Sequence, residues 1–141
     1  MKNDKYYMNL AIKEAKKADR IGEIPVGAII VDQFGNILAK AYNTKESKKI
    51  SINHAEINAI IKANKKINNW RLNECIMYVT LEPCEMCKKA IEEARISKVV
   101  YSSKNHNNKN YSCKYYELSD DSIRNITNSL LNDSFKSIRN N

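Results

Sequence analysis

The chain reads HAEINAIIKANKKINNWRLNECIMYVTLEPCEMC over residues 54–87, a segment whose pattern changes from helix to strand and back to helix. Its first half predicts a helix that begins at His54, because apolar residues recur there at helical spacing, namely Ala55, Ala59, Ile60, Ala63 and Ile67. The run Ile76 to Leu81 predicts a short strand. Glu82-Pro83 opens a further helix, since proline is tolerated in a first helical turn. Helices alternating with strands predict an α/β layered sheet.

The flanking sequence adds a hairpin, a strand and two outer helices. Gly22 ends the N-terminal helical pattern, and the turn Asp32–Asn36 joins a β-branched run to the returning strand of a hairpin. The predicted elements are a helix over 4–20, strands over 25–32 and 37–42, a polar loop over 43–53, a strand over 99–102, a polar loop over 104–114, and a last amphipathic helix along Ile123, Ile126, Leu130, Leu131 and Ile138.

Three residues of the central stretch have the spacing of a metal site. His54 begins one helix, while Cys84 and Cys87 lie three residues apart on one face of the next. Because a strand separates the two helices, we expect both helix starts at the same edge of the sheet. One His and two Cys leave a fourth tetrahedral position for water, which is typical of a catalytic zinc. We therefore expect one Zn²⁺ per chain, preferred over iron for its ligand softness and redox inertness.

The helix that carries the two cysteines is predicted to bury one face. The thiols share that face with Ala90, Ile91 and Ala94, whereas Glu85, Lys88, Lys89, Glu92 and Glu93 are expected to face water.

Glu56 is the candidate catalytic residue. It lies two residues beyond the His54 ligand, close to the expected ion but free to hold a proton. A carboxylate in this place can take a proton from water and pass it to a ring nitrogen and then to a leaving amine. This chemistry is hydrolytic deamination.

The cysteines allow two other interpretations. A redox pair is disfavoured because the sequence lacks the thioredoxin-like strand and Trp-Gly-Pro context. A closed structural zinc site needs a fourth ligand, for which Cys75 and Cys113 are the candidates. Cys75 begins a strand far from the expected site and Cys113 follows a polar loop, so we expect both to be packing or surface residues.

Composition limits the class of protein. The 141 residues fit one compact domain, and no apolar run approaches the length of a membrane span. The N-terminus, Met1 to Leu10, is charged and polar, which argues against a secretory signal and predicts a cytoplasmic protein. The net charge of +8 fits either simple solubility or a polyanionic partner such as RNA.

Longer segments resemble the tRNA-specific adenosine deaminase family. They are EIPVGA at residues 23–28, HAEINAI at 54–60, NWRL at 69–72, YVTLEPCEMC at 78–87 and RISKVVY at 95–101. The His-x-Glu and Pro-Cys-x-x-Cys signature is that of zinc deaminases acting on cytosine or adenine.

The resemblance implies a cytidine deaminase-like three-layer α/β fold with a central mixed five-stranded sheet flanked by helices. Residues 1–141 would form a single zinc-dependent deaminase domain. The implied reaction converts the wobble adenosine of a tRNA anticodon loop to inosine, in a homodimer whose zinc ligands are His54, Cys84 and Cys87.

The resemblance also implies substrate contacts. Asn43 would hydrogen-bond the base, and Val26 and the Ala55 backbone would help form the pocket. A flipped-out loop nucleotide suits this chemistry, because unstacking costs least in a single strand.

Three departures from the family pattern leave alternatives open. Residues 102–108 read SSKNHNN, with Asn105 where the family has an Asp; Lys89 replaces a small residue; and the last helix reads Ser134-Phe135-Lys136 without a double Phe. A guanine or cytosine deaminase acting on free bases or nucleosides is therefore an alternative. A catalytically idle domain that binds RNA or a partner is another, although the intact Glu56 argues against it.

Overall fold

A computed structural model of the chain describes residues 1–106 and 114–139, the last three by their backbone alone. The elements in chain order are α1 (Asp4–Arg20), β1 (Gly27–Val31), β2 (Ile37–Tyr42), α2 (Lys45–Lys48), α3 (Ala55–Ile67), β3 (Ile76–Leu81), α4 (Glu85–Glu93), β4 (Lys98–Ser103), β5 (Tyr115–Glu117) and α5 (Asp121–Arg139).

The strands form one mixed sheet in the order β2-β1-β3-β4-β5. β1 is antiparallel to both β2 and β3, whereas β3, β4 and β5 run parallel to one another. The predicted five-stranded mixed sheet is thus confirmed. Because β3 and β4 are parallel, the segments that follow them emerge at the same edge of the sheet.

The two faces of the sheet bury two separate groups of apolar residues. Along β1, Ala28 and Ile30 contribute to the core under α3 and α4, and Ile29 and Val31 to the core under α1 and α5. This alternation follows from the two-residue period of a strand. The helices on both faces make the three layers that the resemblance implied.

Gly27 allows α1 to approach the sheet closely. A Cβ at this position would lie 2.0 Å from Ala11 O and 2.5 Å from Ala15 N. The glycine N–H donates to Thr80 Oγ1 at 3.1 Å. The backbones of α1 and β1 therefore pack at a distance that only glycine permits.

Two elements and one buried face differ from the sequence predictions. The predicted loop 43–53 contains α2, and β5 was not predicted. On α5 the predicted apolar position Ile126 is 41% exposed, whereas Thr127 is buried. Thr127 faces the sheet because its hydroxyl bonds Ser102 Oγ at 2.9 Å and Ser103 Oγ at 2.6 Å. The predicted apolar position Ile138 lies outside the described side chains.

Across the described ranges, no helix is both long enough and apolar enough to span a bilayer.

Candidate metal centre and active site

The predicted metal ligands meet at two adjacent helix starts. His54 is the N-cap of α3 and Cys84 the N-cap of α4, both with extended backbone. Side chains at this position usually accept a hydrogen bond from the first helical turn, but neither residue does so here. Instead His54 Nδ1 lies 3.8 Å from Cys84 Sγ and 3.6 Å from Cys87 Sγ.

These three side chains fit a zinc ion. Their ligand atoms all lie within 4.8 Å of one another. Ligands bonded to one tetrahedral zinc at about 2.0 to 2.3 Å are roughly 3.5 to 3.8 Å apart, which matches the two nitrogen–sulfur distances. Imidazole and thiolate are also ligands that zinc prefers.

The Cys84 thiol is electrostatically prepared for a cation. Hydrogen bonds from the Cys87 thiol and from His54 lower the pKa of Cys84 to about 3, so Cys84 is a thiolate at neutral pH. The reciprocal hydrogen bond to Cys84 raises the pKa of His54. The hydrogen bond to Cys84, together with burial, raises the pKa of Cys87. The start of α4 further favours negative charge through its dipole.

Glu56 lies in the first turn of α3 and is 4% exposed. Desolvation by burial raises the pKa of its carboxyl to about 7, although the charge of His54 opposes this shift. A carboxyl with a pKa near the working pH is suited to accept and release a proton.

A pocket of about 340 Å³ opens onto Glu56 and onto the ligands His54 and Cys84. Its volume is at the lower end of the range for small-molecule sites. The remaining lining residues are Gly22, Glu23, Ile24, Val26, Asn43, Lys45, Glu46, Leu81, Glu82 and Asn105. Val26 and Asn43, both named from the sequence, therefore face the same space as Glu56.

Asn43 replaces the missing cap of α3. Its Oδ1 accepts a hydrogen bond from the Ala55 N–H at 2.7 Å, and its Nδ2 donates to Ile24 O at 2.9 Å. Ala55 itself is fully buried. Asn43 thus fixes the helix start that carries His54 and Glu56.

Glu23 builds one rim of the pocket, a role that the sequence did not reveal. Its carboxylate accepts hydrogen bonds from Glu46 N at 3.1 Å and Ser47 N at 2.6 Å, at the start of α2. A carboxylate at a helix N-terminus satisfies backbone donors there. This contact fixes α2 and places Lys45 at the pocket.

Lys88 does not face water, so this prediction was wrong. Its side chain is 8% exposed, and Nζ lies 3.8 Å from Glu82 Oε2 and 3.9 Å from Glu85 Oε1. Nζ also lies 5.2 Å from the centre of the Tyr115 ring. The residue turns inward because a buried carboxylate and an aromatic face receive its charge.

The other cysteines do not join the metal group within the described residues. Cys75 is 3% exposed and belongs to the apolar core under α3 and α4, and the expectation that it packs is confirmed. Cys113 lies outside the described residues.

The chain is similar in sequence to known zinc-binding deaminases. A family model described as "Cytidine and deoxycytidylate deaminase zinc-binding region" matches residues 1–103. The "tRNA-specific adenosine deaminase" of Bacillus subtilis (strain 168) is 48% identical over 103 residues, and the match covers 73% of this chain and 63% of the relative. That of Aquifex aeolicus (strain VF5) is 40% identical over 152 residues, with 96% of each chain covered.

Solved structures agree with these relatives. One from studies of A-to-I editing by tRNA:A34 deaminases superposes with a TM-score of 0.81 at 28% identity, covering 90% of this chain and 99% of that chain. A guanine deaminase from Bacillus subtilis superposes with a TM-score of 0.69 at 35% identity, covering 73% and 66%.

Proposed function

The chain belongs to the tRNA-specific adenosine deaminase family of zinc-binding deaminases. We therefore propose that it converts the wobble adenosine of a tRNA anticodon loop to inosine by hydrolytic deamination. One observation carries the proposal: His54, Cys84 and Cys87 cluster in metal-binding geometry, and two of them, His54 and Cys84, line one pocket with the buried Glu56. A purely structural zinc site would have no use for a buried carboxyl that lines an open pocket beside the ligands.

In the proposed mechanism His54, Cys84 and Cys87 hold the zinc. When bound, the zinc supplies Lewis-acid activation of water at neutral pH. The Glu56 carboxylate takes a proton from the attacking water and delivers it to the adenine ring nitrogen next to the reacting carbon. It then transfers the second water proton to the exocyclic amine. Water oxygen is gained, ammonia leaves, and the base becomes hypoxanthine, the base of inosine.

We propose that Asn43, Val26 and the Ala55 backbone shape the base pocket. An amide has two acceptor positions on its oxygen and two donor hydrogens on its nitrogen. The bonds from Ala55 N–H and to Ile24 O use one of each, which leaves a donor and an acceptor for the base. The same two bonds fix the direction of the side chain, as base recognition requires.

A tRNA partner agrees with the charge of the chain. The net charge is +8, and Lys45 lies at the pocket opening, where a phosphate next to the flipped nucleotide would pass. The anticodon loop is single-stranded, so little stacking is lost when its base enters the pocket.

Assembly and location are also proposed. We propose a single domain spanning residues 1–141 that acts as a homodimer in the cytoplasm. Apolar side chains next to and on α3 and α4 are exposed and suit a subunit interface; they are Ile50, Ile52, Ile61 and Met86.

The experiment is inosine formation by the zinc-loaded protein on an anticodon stem-loop that carries a wobble adenosine. Guanine, cytosine and free adenosine run in parallel, with Glu56→Ala as the inactive control. Inosine in the stem-loop alone establishes the tRNA reaction. Turnover of a free base instead would retain the zinc chemistry and favour nucleobase salvage, in keeping with the similarity to a guanine deaminase.

A further inference from the structure

Lys88 and Glu82 form an ion pair that is almost completely shielded from water. Their side chains are 8% and 5% exposed, and Nζ and Oε2 are 3.8 Å apart. Removing two charges from water is costly, and an ion pair of this length recovers that cost poorly. The contact between Nζ and Oε2 is therefore, by itself, a weak source of stability.

Glu82 connects this ion pair to the rim of the pocket. Glu82 follows β3 and lines the pocket together with Asn105, which follows β4. Its backbone N–H donates to Ser103 O at 2.8 Å, and its side-chain Oε1 accepts from the Asn105 N–H at 3.2 Å. One oxygen of the carboxylate thus faces Lys88 while the other holds the rim of the pocket.

We propose that Lys88 is a positioning residue, which acts through the Glu82 carboxylate to hold Asn105 at the rim of the substrate pocket. Lys88 Nζ faces Oε2 of Glu82 on the side of α4, so that the other carboxylate oxygen, Oε1, is aimed at the Asn105 N–H. Hydrogen bonds to a charged acceptor are stronger than those to a neutral one. Replacing the lysine removes the charge that orients this acceptor.

The second carboxylate near Lys88 serves as the matched control. Glu85 Oε1 is 3.9 Å from Nζ, but its side chain is 52% exposed. Exposed ion pairs contribute little. Glu85→Gln removes one negative charge near Lys88 without touching the connection from Glu82 to Asn105.

The first readout is amide hydrogen exchange, measured residue by residue in the zinc-loaded protein. In Lys88→Met, exchange at the Asn105 amide should accelerate by about tenfold or more, because that amide loses a charge-assisted bond. The Glu82 amide, which is bonded to Ser103 O, should keep its protection. Lys88→Arg should restore the exchange rate of Asn105, and Glu85→Gln should leave it unchanged. Lys88→Gln is a milder variant in case Lys88→Met does not fold.

Three results would overturn the assignment. They are unchanged exchange at Asn105 in Lys88→Met, equal acceleration at the Glu82 amide, or loss of zinc in the same variant. The second result would mean local unfolding, and the third a structural role at the metal centre. In a Glu82→Gln background, Lys88→Met should add little, because the two residues act as a unit.

The second readout rests on the proposed function. Since Asn105 lies at the rim, Lys88→Met should raise KM for the anticodon stem-loop by about fivefold or more and change kcat little, the pattern of lost binding. If the wild-type protein forms no inosine, the proposed function fails, while hydrogen exchange still decides the role of Lys88. A fall in kcat at constant KM would contradict positioning of the rim.

Discussion

Replacing Glu56 by Gln tests the proton carrier directly. The variant keeps the size and polarity of a side chain that is 4% exposed, but it cannot exchange a proton. A positioned acid or base contributes about 10²- to 10⁴-fold to rate, and Glu56 serves both transfers in the mechanism. We expect turnover to fall by about 10³-fold or more, which corresponds to roughly 4 kcal/mol in the barrier.

The other buried carboxylates among the described pocket residues, those of Glu23 and Glu82, are already engaged by other groups. Glu23 binds the amides of Glu46 and Ser47, and Glu82 binds Asn105 and faces Lys88. Glu46, at the exposed rim, provides the matched control.

The assay is single-turnover inosine formation on the stem-loop, with zinc content measured on the same samples. Glu56→Gln should keep its zinc, because all three ligands remain, and Glu46→Gln should keep both zinc and most of its activity. A Glu56→Gln protein that retains zinc and more than about a tenth of the wild-type rate would refute the assigned role.

The contacts, charges and metal ligands described above predict four further outcomes. Asn43→Ala removes the bonds to Ala55 N–H and Ile24 O, so unfolding by urea should show a loss of about 1 to 2 kcal/mol, and turnover should fall with it. Gly27→Ala places a methyl group 2.0 Å from Ala11 O, so the free energy of unfolding, measured in a thermal or denaturant melt, should fall by more than about 3 kcal/mol. Gly22→Ala is the comparison: its Cβ meets nothing within 4 Å, but φ is +81°, so the free energy of unfolding should fall by only about 1 to 2 kcal/mol. Binding of the stem-loop should weaken steeply with salt, with a log–log slope near 0.7 to 0.9 per phosphate contact, whereas a flat response would favour a small-base substrate. Chelation should abolish activity and lower Tm, and added Zn²⁺ should restore both; unaltered activity after verified zinc removal would disprove the metal requirement.

The sequence predicted those parts of the fold that have a strong local pattern. α1 spans Asp4–Arg20 as predicted, and β2 and β3 also have their predicted bounds, because each has enough residues to reveal its period. The clustering of His54 with Cys84 and Cys87 followed from helix starts placed at one edge of the sheet. Their roles as ligands remain predictions until zinc is measured.

The features that the sequence did not predict depend on distant partners. β5 has three residues, too few to show a period, and it forms by pairing with β4. The four-residue α2 is held by a carboxylate from Glu23, more than twenty positions earlier in the chain. Lys88 occupies a position that helical periodicity assigns to solvent, and its burial depends on Glu82 and Tyr115. Apart from Glu82 and Lys88, which lie close in the sequence, these contacts join segments that no local window contains.

The division of the pocket between chain segments has a consequence for how such a protein can change. The reacting groups all lie within residues 54–87, one continuous helix-strand-helix unit, whereas much of the wall around them comes from the connection between α1 and β1, the segment around α2 and the residue after β4. Insertions and substitutions in those connections can therefore alter which base or which polymer is admitted while the chemistry stays intact. An engineer who wishes to redirect this protein would randomise Ile24, Val26, Lys45 and Glu46 together with residues 104–106, and keep Glu23, Asn43 and the central unit constant.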